Sequence, residues 1–236
     1  MSDALRLNPL PEPGSSDRPA VLVLPGGGYR HLADHEAEPV CDWLGTLGHD
    51  GYVLRYPVGD ADVHPVQLDA ARAAMRRLRA RHRRVGVLGF SAGGHLAGML
   101  SAGKGIPAGE RPDFAVLCYP ALSWQSFGPT DGFAVDPLLG PDSTPELQRA
   151  VSYEEFATAD APPTFLWHCA DDDGVGVRHS LMATQALADL GVPVELHVLP
   201  TGGHGKGLAA DEPDASRWTA LCADWLRRLE EAGPPH

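Results

Sequence analysis

No stretch of the chain approaches the roughly 18 consecutive apolar residues of a membrane-spanning helix. The N-terminus, Met-Ser-Asp-Ala-Leu-Arg-Leu-Asn-Pro, lacks the apolar core of a secretory signal. Positive charge is scarce: 19 Lys and Arg stand against 31 Asp and Glu, a formal net charge of -12. An acidic surface repels phosphate backbones and anionic headgroups, so neither nucleic acid nor membrane is expected as a partner. The four cysteines, Cys41, Cys118, Cys169 and Cys222, are scattered, with no Cys-x-x-Cys pair. Three sit in apolar runs, where a thiol acts as a small hydrophobe; a reducing compartment, the cytoplasm, is the expected address. There is no internal repeat and no Gly-x-Gly-x-x-Gly. No glycine loop is followed by Lys-Ser/Thr, so phosphate-loop chemistry has no motif.

What is present reads as one domain. The 236 residues are 43% hydrophobic and 21% charged, an ordinary globular composition. Residues 8–19 carry four prolines, so 1–19 is expected to be an extended arm before a single domain at 20–236. Short apolar runs at Val21–Leu24, Tyr52–Tyr56, Val85–Phe90, Phe114–Tyr119, Thr164–Cys169 and Val194–Leu199 predict strands. Helical spacing appears between and after them. It runs through Val40, Trp43, Leu44 and Leu47, through Leu68, Ala71, Met75 and Leu78, and over Ala92–Leu100 and Leu181–Leu190. A last helix is expected from Ser216, as N-cap, to about Glu231, with Trp218, Leu221, Trp225 and Leu229 as its core stripe. Arg72, Arg76, Arg77 and Arg79 form a solvated face of the second helix. Strands alternating with helices imply α/β architecture, a mainly parallel, doubly wound sheet. Residues 121–160 are the long irregular stretch and are expected to form a small cap.

Gly89-Phe90-Ser91-Ala92-Gly93 fits G-x-S-x-G, with a strand before it and a helix after it. Such a turn strains the serine and projects its hydroxyl, and the glycines let strand and helix cross closely. The helix N-terminus favours a forming oxyanion. Pro25-Gly26-Gly27-Gly28-Tyr29 ends the first clear strand. Its glycines leave backbone N–H groups free to donate, so Gly27, Gly28 and Ala92 are the candidate oxyanion donors. Gly202-Gly203-His204-Gly205 places a histidine on a mobile-looking glycine loop after the last strand, where it reaches a serine from another strand. Asp171, Asp172 and Asp173 follow the Thr164–Cys169 strand, and the spacing leaves all three open as the acid that orients His204. His31 and His35 have i, i+4 spacing without a third ligand, so no metal is expected. His95, one turn into the elbow helix, reads as a packing and hydrogen-bonding residue.

Together, Pro-Gly-Gly-Gly-Tyr at 25–29, Leu-Arg-Tyr at 54–56, Gly-Phe-Ser-Ala-Gly-Gly-His at 89–95 and Gly-Gly-His-Gly at 202–205 resemble the small bacterial acetyl esterase and acetylxylan-esterase-like branch of α/β-hydrolases. Pro-Pro-Thr-Phe-Leu-Trp-His at 162–168 and Gly-Val-Pro-Val-Glu-Leu-His at 191–197 extend the likeness over about 20–230. The resemblance implies the α/β-hydrolase fold and assigns the acid to Asp172. The chain departs from it at Gly176, where proline is usual. It also has Pro25 where lipase-type relatives carry histidine.

The expected reaction is hydrolysis of short-chain, acetyl-type esters through an acyl-enzyme, with Ser91 as nucleophile, His204 as base and Asp172 as orienting acid. No cofactor is expected. The expected partner is a small-molecule ester, acetylated saccharides included. Tyr29, Trp124 and Phe127 are the candidate pocket residues. An amide hydrolase of the same fold, such as an arylformamidase or a peptidase, would use the same triad. A binding protein that kept the fold without catalysis is the third reading.

Overall fold

A computed structural model of the protein describes residues 7–8, 16–59, 61–124 and 136–232. Seven strands form one sheet: β1 (Leu7–Asn8), β2 (Ala20–Leu24), β3 (Asp50–Leu54), β4 (Val85–Phe90), β5 (Ala115–Cys118), β6 (Thr164–Cys169) and β7 (Val194–Leu199). Their order is β1-β3-β2-β4-β5-β6-β7. Strands β2 to β7 are all parallel; β1, from the N-terminal arm, pairs antiparallel to β3, with Leu7 opposite Leu54. Part of that proline-rich arm is therefore an edge strand.

The helices that connect parallel strands must cover both faces of the sheet. They are α1 (Glu38–Thr46), α2 (Val66–Arg79), α3 (Ala92–Ala102), α7 (Arg178–Asp189) and α8 (Arg217–Glu231). Alternation along each strand sorts the core into two layers. Leu22, Leu24, Val85 and Val87 pack with Met75, Leu78, Leu96, Leu100 and Leu187, under α2, α3 and α7. Val21, Val23, Leu88 and Phe90 pack with Val40, Leu44, Trp218, Cys222 and Trp225, under α1 and α8. Strands buried on both faces explain the continuous apolar runs in the sequence. The arginine face of α2 is partly paired with acids: Arg76 with Glu110 at 2.6 Å and Arg79 with Asp113 at 2.8 Å.

Two local expectations shift. Ser216 does precede α8, but its backbone is already helical and its hydroxyl donates to Pro213 O at 3.3 Å instead of capping an amide. The buried stripe of α8 is Trp218, Cys222, Trp225 and Leu226, with Leu221 and Leu229 only partly covered. Within 121–160, the described part holds three short helices, α4 (Asp136–Leu139), α5 (Pro145–Ala150) and α6 (Tyr153–Phe156). Tyr153 is fully buried, and a Cβ on Gly98 of α3 would stand 3.2 Å from its ring. This stretch is thus tied to the helix that starts at the serine.

The chain runs from β2 out to β3, then back across β2 to β4 and onward to β7. Strand order reverses between β2 and β4. Ligand sites in open parallel sheets lie beyond the carboxyl ends of the strands at such a reversal. Here those ends carry the glycine loop and Ser91.

Candidate active site

Ser91 joins β4 to α3 with φ 51° and ψ -115°, a region that costs a non-glycine residue free energy unless its surroundings impose it. The surroundings are the crossing of strand and helix. A Cβ on Gly89 would overlap the Gly93 carbonyl, and one on Gly93 would overlap the Leu24 carbonyl. The backbone is pinned further by Ser91 N–H to Cys118 O at 3.0 Å and Ala121 N–H to Ser91 O at 3.2 Å. The hydroxyl is thereby held at the N-terminus of α3, where the first amides have no intrahelical acceptor; Ala92 N–H is one of them.

The glycine loop lies beside it, fastened at several points. Pro25 O accepts the Tyr56 hydroxyl at 2.5 Å, and Gly26 N–H donates to Glu36 Oε2 at 2.7 Å. Gly27 and Gly28 have φ of 125° and 63°, which only glycine adopts without strain. Among the described residues nothing accepts from their amides. Tyr29, at φ 60°, is fully buried, and its hydroxyl donates to His95 Nδ1 at 2.7 Å. The other ring nitrogen of His95 donates to Val151 O at 2.7 Å, which fixes the tautomer. Burial pushes the His95 imidazole down to about 3, so the ring stays neutral.

His204 Nε2 lies 2.8 Å from Ser91 Oγ, and His204 Nδ1 lies 2.7 Å from Asp172 Oδ2. A carboxylate only accepts, so Nδ1 carries the proton and Nε2 is left to accept from the serine hydroxyl. Asp172 is the aspartate that touches the histidine. Asp171 instead accepts the amides of Gly202 and Gly203, at 3.2 and 2.9 Å, and so shapes the loop that carries His204. Asp173 is exposed. The Asp172 side chain is buried, which opposes its charge. Hydrogen bonds from His168 and His204 outweigh that and hold its carboxyl below the usual carboxylate range. Its other oxygen accepts Gly174 N–H at 3.0 Å and Val175 N–H at 2.8 Å.

Ser91 and His204 open onto a cleft of about 420 Å³. Arg30, His31, His35, Gly174, Val175 and Gly205 line it. The two described aromatics expected to line a pocket are not part of this lining. Tyr29 spends its hydroxyl on His95, and Trp124 sits edge-on to the same imidazole at 4.5 Å. Both are buried against His95 of α3. Phe127 lies outside the described residues. His31 and His35 are not gathered as ligands: His35 Nε2 is engaged with Gly205 O at 2.8 Å.

Three residues here escaped the sequence reading. Glu36 and Tyr119 are joined by a 2.6 Å hydrogen bond, and Tyr119 lies edge-on to His204 at 5.1 Å. His168 Nε2 is 3.1 Å from Asp172 Oδ2, and its Nδ1 is 2.8 Å from Ser180 Oγ. The one available signal was a buried polar residue closing an apolar strand, His168 at the end of β6.

Comparison with known proteins finds similar hydrolases and esterases. The chain is 40% identical to an acetyl ester-xyloside bifunctional hydrolase from Caldicellulosiruptor lactoaceticus of known structure, with a TM-score of 0.86, covering 96% of this chain and 88% of that one. It is 30% identical to an acetylxylan esterase of Xylanibacter ruminicola over 89% of this chain and 45% of that protein. It is 29% identical to an endo-1,4-beta-xylanase B of Butyrivibrio fibrisolvens over 83% of this chain and 33% of that protein. The chain thus spans less than half the length of these two relatives. A model of the prolyl oligopeptidase family matches residues 57–231, about three quarters of the sequence. The chain belongs to the prolyl oligopeptidase family of α/β-hydrolases.

Proposed function

We propose that this chain hydrolyses short-chain carboxylic esters, acetyl esters of small saccharides foremost, by a serine acyl-enzyme route. The observation that carries the reading is the continuous hydrogen-bond chain Ser91–His204–Asp172, at 2.8 and 2.7 Å, beside unengaged amides. His204 Nε2 takes the serine proton as Ser91 Oγ attacks the carbonyl carbon. Asp172 holds the imidazolium that forms. The tetrahedral oxyanion accepts from the amides of Gly27, Gly28 and Ala92. His204 then protonates the departing alcohol. Water, deprotonated by the same nitrogen, releases the acid.

The cleft supports short acyl groups and polar alcohols. Among the described residues its aliphatic lining is Ala33 and Val175, while Arg30 and His31 offer hydrogen bonds to hydroxyl-bearing leaving groups. The names of the similar proteins, an acetylxylan esterase and an acetyl ester-xyloside hydrolase, point the same way. The test is a panel of p-nitrophenyl esters from acetate to octanoate, beside acetylated xylo-oligosaccharides and matched p-nitroanilides. Activity should be greatest at acetate or propionate and fall beyond butyrate, because each unaccommodated methylene costs about 1 kcal/mol. A profile rising through octanoate overturns the short-chain reading. Faster anilide than ester cleavage would move the chain to the amide hydrolysis for which its family is named.

A further inference from the structure

Glu36 is a buried carboxylate in the wall of the cleft that the reaction above does not use. Its residue is 2% exposed. Among the described residues its one cation-capable neighbour within 4 Å is His35, at 3.7 Å, and that ring nitrogen lies closer to Gly205 O, at 2.8 Å. Burying a carboxylate without a close cation is costly, so its hydrogen bonds must hold it in place. There are two, one per oxygen, and both partners belong to the machinery around Ser91. Oε2 accepts Gly26 N–H at 2.7 Å, and Oε1 accepts the Tyr119 hydroxyl at 2.6 Å.

We propose that Glu36 is a positioning residue that sets the glycine loop and the histidine loop in register around Ser91; this rests on the esterase reading above. On one side, the bonded Gly26 amide fixes the Pro25–Gly26 peptide plane from which the glycine run starts. The loop is braced again by Ala33 N–H to Gly26 O at 3.0 Å and by the Tyr56 hydroxyl on Pro25 O, so the next two amides, of Gly27 and Gly28, have one direction to point. On the other side, the Tyr119 oxygen that donates to Glu36 accepts Gly207 N–H at 2.7 Å, three residues beyond His204. Tyr119 itself holds φ 35°, an unfavourable conformation for a tyrosine, at the end of β5. The bridge thus runs from Gly26 through Glu36 and Tyr119 to Gly207. Glu36 touches neither the carbonyl under attack nor the serine. Its effect is confined to where the donors stand when charge appears on the substrate oxygen, a contribution to the transition state more than to substrate binding.

The experiment compares Glu36→Ala and Glu36→Gln with the unaltered protein. It measures kcat and KM on p-nitrophenyl acetate, affinity for phenylboronic acid, and the thermal midpoint. A boronic acid adds to the serine oxygen and places a tetrahedral, negatively charged centre where the oxyanion forms, so its binding reads the donors without turnover. Loss of one oxyanion donor typically costs about a hundredfold or more in kcat. Glu36→Ala should lower kcat by about that factor, with KM within roughly threefold, and should weaken phenylboronic acid in parallel. Glu36→Gln keeps an acceptor for Gly26 N–H but offers Tyr119 an amide donor instead, so a loss of about tenfold is expected. Unchanged boronate affinity in both variants overturns the proposal even if kcat falls, as does kcat within threefold of the unaltered protein in both. Should the alanine variant fail to fold, the near-isosteric glutamine variant decides by the same two criteria. If the unaltered protein cleaves no ester, the esterase reading fails, yet the boronate comparison still reports whether Glu36 positions the loop.

Discussion

The oxygen of Asp172 that receives His204 Nδ1–H at 2.7 Å also faces His168 Nε2 at 3.1 Å, so two imidazoles share one carboxylate oxygen. His168 is fully buried, its Nδ1 beside Ser180 Oγ and its Nε2 also 2.7 Å from Val175 O. A second donor on the carboxylate oxygen spreads its charge. Replacing His168 with phenylalanine removes that donor. The Asp172 carboxyl then loses one of the hydrogen bonds that hold it below the usual carboxylate range, and it should titrate at a higher pH than in the unaltered protein. The lost charge-assisted hydrogen bond is worth about 2 kcal/mol, which sets the expected fall in stability. An unmoved Asp172 titration in a folded variant would show that His168 only fills space.

The three adjacent aspartates should separate cleanly by substitution. Asp172→Asn keeps the shape but stabilises the wrong tautomer of His204, with an expected loss of about ten-thousandfold in kcat. Ser91→Ala should lose about a millionfold. Asp173→Asn, at an exposed position, should stay within about twofold. Asp171→Asn can still accept one of the two glycine amides, so a loss of less than about tenfold is expected. Steady-state kinetics on one ester decides all four, and a near wild-type Asp172→Asn would remove the orienting role from that residue.

Gly93 tests the elbow without touching its chemistry. A Cβ there would overlap the carbonyls of Leu24 and Pro25, both backbone atoms of β2 and the glycine loop. Neither atom can swing aside as a flexible side chain would. Gly93→Ala should therefore cost about 3 kcal/mol or more, the upper end for overpacking, whereas Gly45→Ala, in α1 with open space around it, should stabilise by up to about 1 kcal/mol. Chemical denaturation of the two variants measures the contrast, and equal stabilities would mean that strand and helix do not cross so closely.

Why were Ser91, His204 and the parallel sheet legible in the sequence, while Glu36, Tyr119 and His168 were not? The legible residues are constrained by their own neighbours in the chain. Glycines at 89 and 93 flank the serine, an apolar strand precedes it, and His204 sits within glycines. Val85–Phe90 and Thr164–Cys169 read correctly to the residue because their burial on both faces demands nearly continuous apolar runs, whereas Val194–Leu199, an edge strand buried only at Leu199, reads from its alternation of apolar and polar residues. Glu36 and Tyr119 are linked across 83 positions, and each looks ordinary locally: an acid in an acidic loop, an aromatic ending a strand. The same gap misled the pocket assignment. Tyr29 and Trp124 were placed near Ser91 by sequence, yet both turn toward His95, whose complete burial no local pattern announces. The edge pairing of β1 was hidden by the prolines around it.

His95 supplies the test of how firmly that buried layer is built. Its ring is neutral in the folded protein down to about 3, whereas an unfolded chain protonates near the ordinary 6.5. The folded value lies below the unfolded one, so the sign is fixed. Above pH 6.5 both states are neutral and the difference contributes nothing. From there down toward 3 the unfolded chain binds a proton that the folded one refuses, and stability falls by up to about 1.4 kcal/mol per pH unit. In His95→Gln this dependence is gone, although the variant starts out less stable because its hold on Tyr29 and Val151 is altered. Urea unfolding of both proteins at pH 7 and pH 5 should show the stability gap between them narrowing by about 2 kcal/mol. His49 and His64, which burial also shifts downward, are present in both proteins and cancel from the comparison. A gap that stays constant or widens at pH 5 would mean that His95 accepts a proton within the fold, and that the Tyr29 anchor of the glycine loop yields to acid.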